Sequence, residues 1–182
     1  MHALLRISRA VDWLNDQVGR RVWWLALALV LVQFAVVVLR YAFGTSYIKM
    51  QESVLYLHAA VFMLGAGYTW LYDGHVRVDI FYGEASPRKR ALVDLTGVLI
   101  AVVPFCVIVL WVSWPFVRRS WAILEGPLFY GGIPAVFVLK TLIPLFALLL
   151  LLQGLSIVLR AILVLAGRQK DVFEKRLTDA AA

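Results

Sequence analysis

Four long runs without a charged residue set the architecture of this chain of 182 residues. They cover residues 22–39, 53–72, 95–117 and 141–159, and charged side chains bound each of them. About 20 apolar residues in an α-helix cross the ~30 Å hydrocarbon core of a bilayer. A helix also satisfies its own backbone hydrogen bonds there. The sequence therefore predicts an all-α membrane protein with four transmembrane helices.

The four spans are expected to form one domain that covers residues 1–182. The run 126–139 contains three glycines and two prolines, so we interpret it as an interfacial stretch that leads into the fourth helix near Pro134. Ser86 and Pro87 are typical of a helix start, and Pro104 predicts a kink in the third helix. The predicted spans are about 22–40, 52–72, 92–117 and 134–160.

The first 21 residues are predicted to form an interfacial amphipathic helix on the inner leaflet. Asp12 and Asp16 interrupt this segment, which argues against a cleaved signal peptide. Apolar residues recur in it at spacings of three and four, while most of its charged residues lie elsewhere around the helix. These apolar residues are Leu4, Leu5, Val11, Leu14 and Val18.

Composition excludes several classes of protein. Apolar residues make up 63% of the chain and charged residues 16%, which argues against a soluble enzyme, since soluble domains average about 45–50% and 25%. The single cysteine, Cys106, excludes an internal disulfide, and with only three histidines it gives no zinc cluster. The net charge of +7 indicates membrane orientation rather than a nucleic-acid partner.

The distribution of lysine and arginine predicts the orientation. Thirteen of the 18 basic residues lie in the N-terminal segment, the middle loop and the C-terminal tail, and five lie in the two other connections. Basic residues concentrate on the cytoplasmic side of membrane proteins. Both termini are therefore expected in the cytoplasm.

Few polar side chains lie within the predicted spans, and none suggests catalysis. His58 is interpreted as a packed or hydrogen-bonded histidine, and Lys140 as a side chain that extends to the interface, with an ion path as the alternative. Gln33 and Gln153 need partners in hydrocarbon, either each other or a second protein. No carboxylate lies in mid-membrane, so we predict no catalytic, cofactor or metal site in this chain.

Several short motifs resemble a known family, the DctQ-like small membrane subunit of tripartite ATP-independent periplasmic (TRAP) transporters. The resemblance extends over about residues 20–160, and its fuller pattern is most similar to the mannitol/chloroaromatic branch. The motifs are LRYAFG (39–44), QE (51–52), YLH (56–58), FMLGAGYT (62–69), DGHVRVDIFYG (73–83) and SP (86–87).

This resemblance implies a three-part system. A periplasmic binding protein captures an organic acid, for which 2-oxo acids, lactate-like acids and aromatic acids are all candidates. A large membrane subunit carries the substrate and sodium sites, and the small subunit packs against its scaffold. Two other classes remain as alternatives, an autonomous small transporter or channel and a membrane enzyme of unrecognised type.

The contact with the large subunit is expected on the first two helices, where the motifs are densest. Gly65 and Gly67 permit close helix approach there, and Gln33 offers a mid-membrane amide. The candidate interface residues are Gln33, Arg40, Glu52, His58, Gly65 and Gly67.

Overall fold

The computed structural model describes residues 2–75, 85–127 and 130–167, and the regular structure in these ranges is entirely helical. All four helices are long and apolar enough to cross a membrane, which confirms the predicted all-α class and helix count. Much of the DGHVRVDIFYG motif and of the basic C-terminal tail lies outside the described residues. The helices are α1 (His2–Ala42), α2 (Ile48–Leu71), α3 (Pro87–Ala122) and α4 (Val136–Leu165).

Local signals in the sequence explain where the helices start and stop. Gly44 adopts a positive φ of 65° after α1, a conformation that glycine takes without steric cost. The backbone N–H of Thr45 then donates to the carbonyl of Leu39 at 3.0 Å. Helix α3 begins at Pro87 as predicted, with extended backbone at Ser86, although the Ser86 side chain makes no capping hydrogen bond.

The sequence predicts a kink at Pro104, and a π-helical turn lies just before this residue in α3. This turn, Val98–Val102, separates the α-helical stretches Pro87–Gly97 and Val103–Ala122. Proline has no N–H to donate and its ring crowds the carbonyl four residues earlier, which here belongs to Ile100. A wider turn directly before Pro104 is a typical way to accommodate this crowding.

Helix α4 is the centre of the bundle. It contacts α1, α2 and α3, and α1 also packs along α2. Within the described ranges the backbone of α3 packs closely against α4 alone, and the backbones of α2 and α3 stay apart. A buried apolar cluster joins α3 to α4 and consists of Ala91, Val98, Ile157, Ala161 and Val164.

The N-terminal segment is continuous with the first span rather than a separate surface helix. Helix α1 runs unbroken for 41 residues, which corresponds to about 60 Å. Its buried residues recur at spacings of three and four and face the other helices, and two of them are polar. This buried stripe consists of Ser8, Val11, Asn15, Gly19 and Val22. The predicted amphipathic face therefore includes Val11 but misses the polar side chains that pack within the chain.

Candidate partner interface

A buried set of polar side chains joins α1 to α4, and we call it the polar seam. The Ser8 and Ser156 hydroxyls lie 2.7 Å apart, and the Asn15 amide donates to Gln153 Oε1 at 3.0 Å. Asn15 and Gln153 are both fully buried. Since amides lacking partners are costly inside a protein, this pairing fixes one helix against the other. The seam consists of Ser8, Asp12, Asn15, Gln153, Ser156 and Arg160.

An ion pair lies at the end of the seam. The Arg160 guanidinium pairs with the Asp12 carboxylate, and both side chains are largely buried, at 12% and 14% exposure. Arg160 Nε also donates to Ser8 Oγ at 2.9 Å, and the Ser156 hydroxyl donates to Asp12 Oδ1 at 2.8 Å. These hydrogen bonds satisfy several of the polar groups around the buried charges, as such a pair requires.

Gln33 and Gln153 are predicted to bond either each other or a second protein, and the polar seam contains the partner of Gln153. Gln153 bonds Asn15, and its amide also donates to Asp12 Oδ1 at 3.3 Å, so it does not pair with Gln33. Gln33 is exposed on the surface of α1 and has no hydrogen-bond partner in the part of the chain that the structure describes. An amide left unpaired in hydrocarbon is costly, which leaves a second protein as the remaining predicted partner for Gln33.

The two glycines of the GAG sequence lie in different environments. A Cβ at Gly67 would come within 2.3 Å of Asn15 Oδ1, whereas a Cβ at Gly65 would meet Val22 Cγ1 at 3.7 Å, an ordinary contact. Gly67 therefore permits the close approach of α2 to α1 within this chain. The predicted close packing is real at Gly67, but its neighbour belongs to the same subunit.

Glu52 also makes its contact within the chain. Its Oε2 accepts a hydrogen bond from the backbone N–H of Ile133 at 2.5 Å. Ile133 lies in the connection that leads into α4, so the carboxylate fixes this connection against the start of α2. A partner is therefore not needed to satisfy Glu52.

Lys140 pairs with Glu125 rather than lining an ion path. Its ammonium lies 2.5 Å from Glu125 Oε2 and 3.9 Å from the centre of the Phe116 ring. Glu125 follows the end of α3, which agrees with a lysine stem that extends to the interface. The hydrogen bond from Lys140 lowers the pKa of Glu125 below its usual 4.5. The stabilisation from this pair is thus present above pH 4.5 and is lost as the pH falls through the lowered pKa.

His58 and Arg40 are exposed on the outside of the bundle. The His58 ring stacks on Phe62 of the next turn, with ring centres 6.3 Å apart. His58 lies ten residues after the start of α2 and Gln33 nine residues before the end of α1. At 1.5 Å per residue both lie about 14–15 Å from the turn that joins these helices. The exposed set, Gln33, Arg40 and His58, is the part of the predicted interface that remains available to a partner.

A groove runs beside this surface, between α2 and α3 and over α4. Its volume is about 940 Å³, and its lining is mostly apolar. It lies where α2 and α3 pack on the same central helix with their own backbones apart in the described ranges. We call it the α2–α3 groove, and its lining includes Phe62, Gly65, Asp94, Gly97, Phe146 and Leu150.

The four helices and the polar seam define a multi-pass membrane protein whose buried polar groups hold it together. Residues 29–164 match the family model described as "Tripartite ATP-independent periplasmic transporters, DctQ component". The chain belongs to this family, since the match covers well over half of its length. It is thus the small component of a TRAP transporter and not an enzyme. No curated protein and no solved structure gives a match to this chain.

Membership in a tripartite family also implies partners. The other components of such a system are a large membrane subunit and a substrate-binding protein. Two of the predicted interface residues, Glu52 and Gly67, are engaged inside the chain. The seam residues Asp12 and Arg160 did not stand out in the sequence because they lie 148 positions apart.

Proposed function

We propose that this chain scaffolds the large membrane subunit in sodium-driven, binding-protein-dependent uptake of an organic acid. The observation that carries the proposal is the contrast between Gln153, which is bonded inside the seam, and Gln33, which is exposed on α1. The resemblance to the mannitol/chloroaromatic branch supports 2-oxo, lactate-like or aromatic acids as substrates. The sodium sites belong to the large subunit in this proposal.

The polar groups also favour a scaffold over an autonomous channel. A channel needs polar groups along a water-filled path. Gln153 and Lys140 are engaged with partners inside the chain. Gln33 and His58 are exposed on the outer surface of their helices. Of the four residues that could have lined a path, two are thus bonded within the chain and two lie on its exterior.

Reconstitution tests the proposed function. The chain alone in liposomes is expected to move no organic acid, measured with a panel of radiolabelled 2-oxo acids, lactate and aromatic acids. Adding the large subunit, the binding protein and an inward sodium gradient is expected to give uptake. Sodium-driven uptake by this chain alone would contradict the scaffold role, and uptake by the large subunit and binding protein without this chain would make it dispensable.

The proposed contact at Gln33 is tested by co-purification. Gln33→Leu is expected to weaken the complex with the large subunit by about 3- to 30-fold, because an interhelical hydrogen bond in a membrane contributes about 0.6–2 kcal/mol. Phe34→Leu, at the next and equally exposed position, is the matched control because it removes no amide. Equal retention of both variants would remove Gln33 from the interface.

We infer the orientation from the basic residues, of which 13 of 18 lie on one side. Both termini are then cytoplasmic, and the chain lies in the bacterial inner membrane. A reporter active only in the periplasm is expected to give a signal when inserted near Thr45 and none when fused after residue 182. The reverse pattern would invert the topology.

A further inference from the structure

The α2–α3 groove has an apolar body and a charged mouth. Residues four apart lie on the same face of a helix. The face of α3 that lines the groove can therefore be followed back toward the start of this helix. Val93 and Gly97 line the groove, and one turn earlier on the same face lies Lys89. Asp94 also lines it, and one turn earlier lies Arg90. Two cations therefore lie where the groove reaches the N-terminal end of α3.

The groove opens sideways between two helices whose backbones stay apart in the described ranges. In a bilayer this opening faces lipid, because both helices are long and apolar enough to span the membrane. The volume of about 940 Å³ lies within the range of about 300–1,000 Å³ typical of small-molecule sites. An apolar space of this size exposed to hydrocarbon is a site for an acyl chain.

We propose that the α2–α3 groove binds an anionic phospholipid of the inner leaflet, with an acyl chain between α2 and α3 and its phosphate beside Lys89. The choice of leaflet rests on the proposed orientation, in which the start of α3 is cytoplasmic. Basic pockets between transmembrane helices on that side are typical binding sites for anionic headgroups. The bound lipid fills the space that α2 and α3 leave over α4.

The charges at the mouth favour a negative headgroup. Among the described residues, the charged and titratable groups in the lining of the mouth are His75 and Asp94. Lys89 and Arg90 lie one helical turn beyond it, so in this part of the chain two cations stand against one carboxylate. Lys89 is exposed, and its side chain is therefore accessible to a phosphate. His75 Nε2 lies 3.3 Å from the carbonyl of Ala66, which holds the imidazole at the end of α2.

Gly97 provides a substitution that fills the groove. A Cβ at Gly97 would meet no atom of the described residues within 4 Å, so a large side chain can occupy the groove without a clash at its base. Gly97→Trp is therefore expected to displace the lipid. Leu99→Trp is the matched control, because Leu99 is exposed on the same helix and does not line the groove.

The test is native mass spectrometry of the full chain, released from nanodiscs of phosphatidylglycerol and phosphatidylethanolamine. Wild type is expected to retain phosphatidylglycerol, Gly97→Trp to retain at least tenfold less, and Leu99→Trp to match wild type. Lys89→Gln is expected to reduce the preference for phosphatidylglycerol about fivefold. Circular dichroism of each variant verifies that it is folded. If Gly97→Trp does not fold, Gly97→Leu takes its place.

Three results would overturn the lipid site. The first is an absence of lipid adducts on wild type, and the second is an equal loss of lipid adducts in Gly97→Trp and Leu99→Trp. The third is that Gly97→Trp no longer co-purifies with the large subunit while its lipid adducts persist. The last result would assign the groove to a helix of the partner. The readout needs no transport, so a failure of the lipid site and a failure of the scaffold role are separate results.

Discussion

Arg160→Ala is expected to be among the most damaging single substitutions in this chain. It removes the guanidinium that pairs with the largely buried Asp12 carboxylate. Removing one partner of a buried ion pair costs about 3–5 kcal/mol, because the remaining charge stays desolvated. The substitution also removes the hydrogen bond to Ser8 Oγ. We therefore expect a large loss of stability, measured by thermal unfolding of the purified chain in detergent.

The chain offers a matched control in a second aspartate–arginine pair. Arg20 lies 2.8 Å from Asp16, but its side chain is 67% exposed, and exposed pairs of this kind contribute about 0.3–0.5 kcal/mol. Arg20→Ala should therefore unfold close to wild type. The double variant Asp12→Asn, Arg160→Ala should lose less than the sum of its single changes, since they share one interaction. Equal effects of Arg160→Ala and Arg20→Ala would contradict a structural role for the seam.

Gly67→Ala is expected to destabilise the chain, although it adds only one methyl group. The new Cβ would come within 2.3 Å of Asn15 Oδ1, so either the helices separate or the Asn15 side chain moves. Overpacking of this kind costs about 1–3 kcal/mol. Displacing Asn15 also breaks its hydrogen bond to Gln153, which adds about 0.5–1.5 kcal/mol. The measurement is again the unfolding temperature in detergent.

Gly65→Ala is the control for this effect. Its Cβ would make an ordinary contact with Val22, and alanine is a better helix former than glycine by about 1 kcal/mol. We expect its stability to equal or exceed that of wild type. Asn15→Ala should remove most of the additional damage caused by Gly67→Ala, because the clashing oxygen is then absent. Equal unfolding temperatures for Gly65→Ala and Gly67→Ala would contradict the close approach at Gly67.

The helices were predictable, but most of their pairing was not. Charge-free runs and the Ser86–Pro87 start signal are local properties, so the sequence alone was sufficient to predict four helices and where α3 begins. The GAG sequence shows two similar glycines, and only their neighbours, Asn15 and Val22, distinguish them. These neighbours lie on another helix, and their register against α2 is set by packing over the whole bundle.

The candidate interface residues were likewise predictable as polar groups in the helices, but their partners were not. Gln33 and Gln153 both read as buried amides that need partners, yet one is bonded to Asn15 and the other is exposed. The partner of Gln153 lies 138 positions away, beyond the reach of helical periodicity. The spacing of apolar residues in the N-terminal segment predicts a helix on the membrane surface, whereas several polar residues of this segment face complementary groups on α4.

The position of α3 has a consequence for biogenesis. The only helix whose backbone packs closely against it in the described ranges is α4, which is synthesised after it. Among the described residues, those synthesised before α3 provide no helix whose backbone packs closely against it, so α3 is expected to be stable in the bilayer as an independent helix. Helix α2, in contrast, follows α1 and can pack against it at once. Hydropathy agrees with this order, since the most apolar 18 residues of α3 have a mean hydropathy of 2.7 and those of α2 a mean of 1.4. Insertion of α3 is thus set by its own affinity for lipid, and that of α2 by a neighbour already in place.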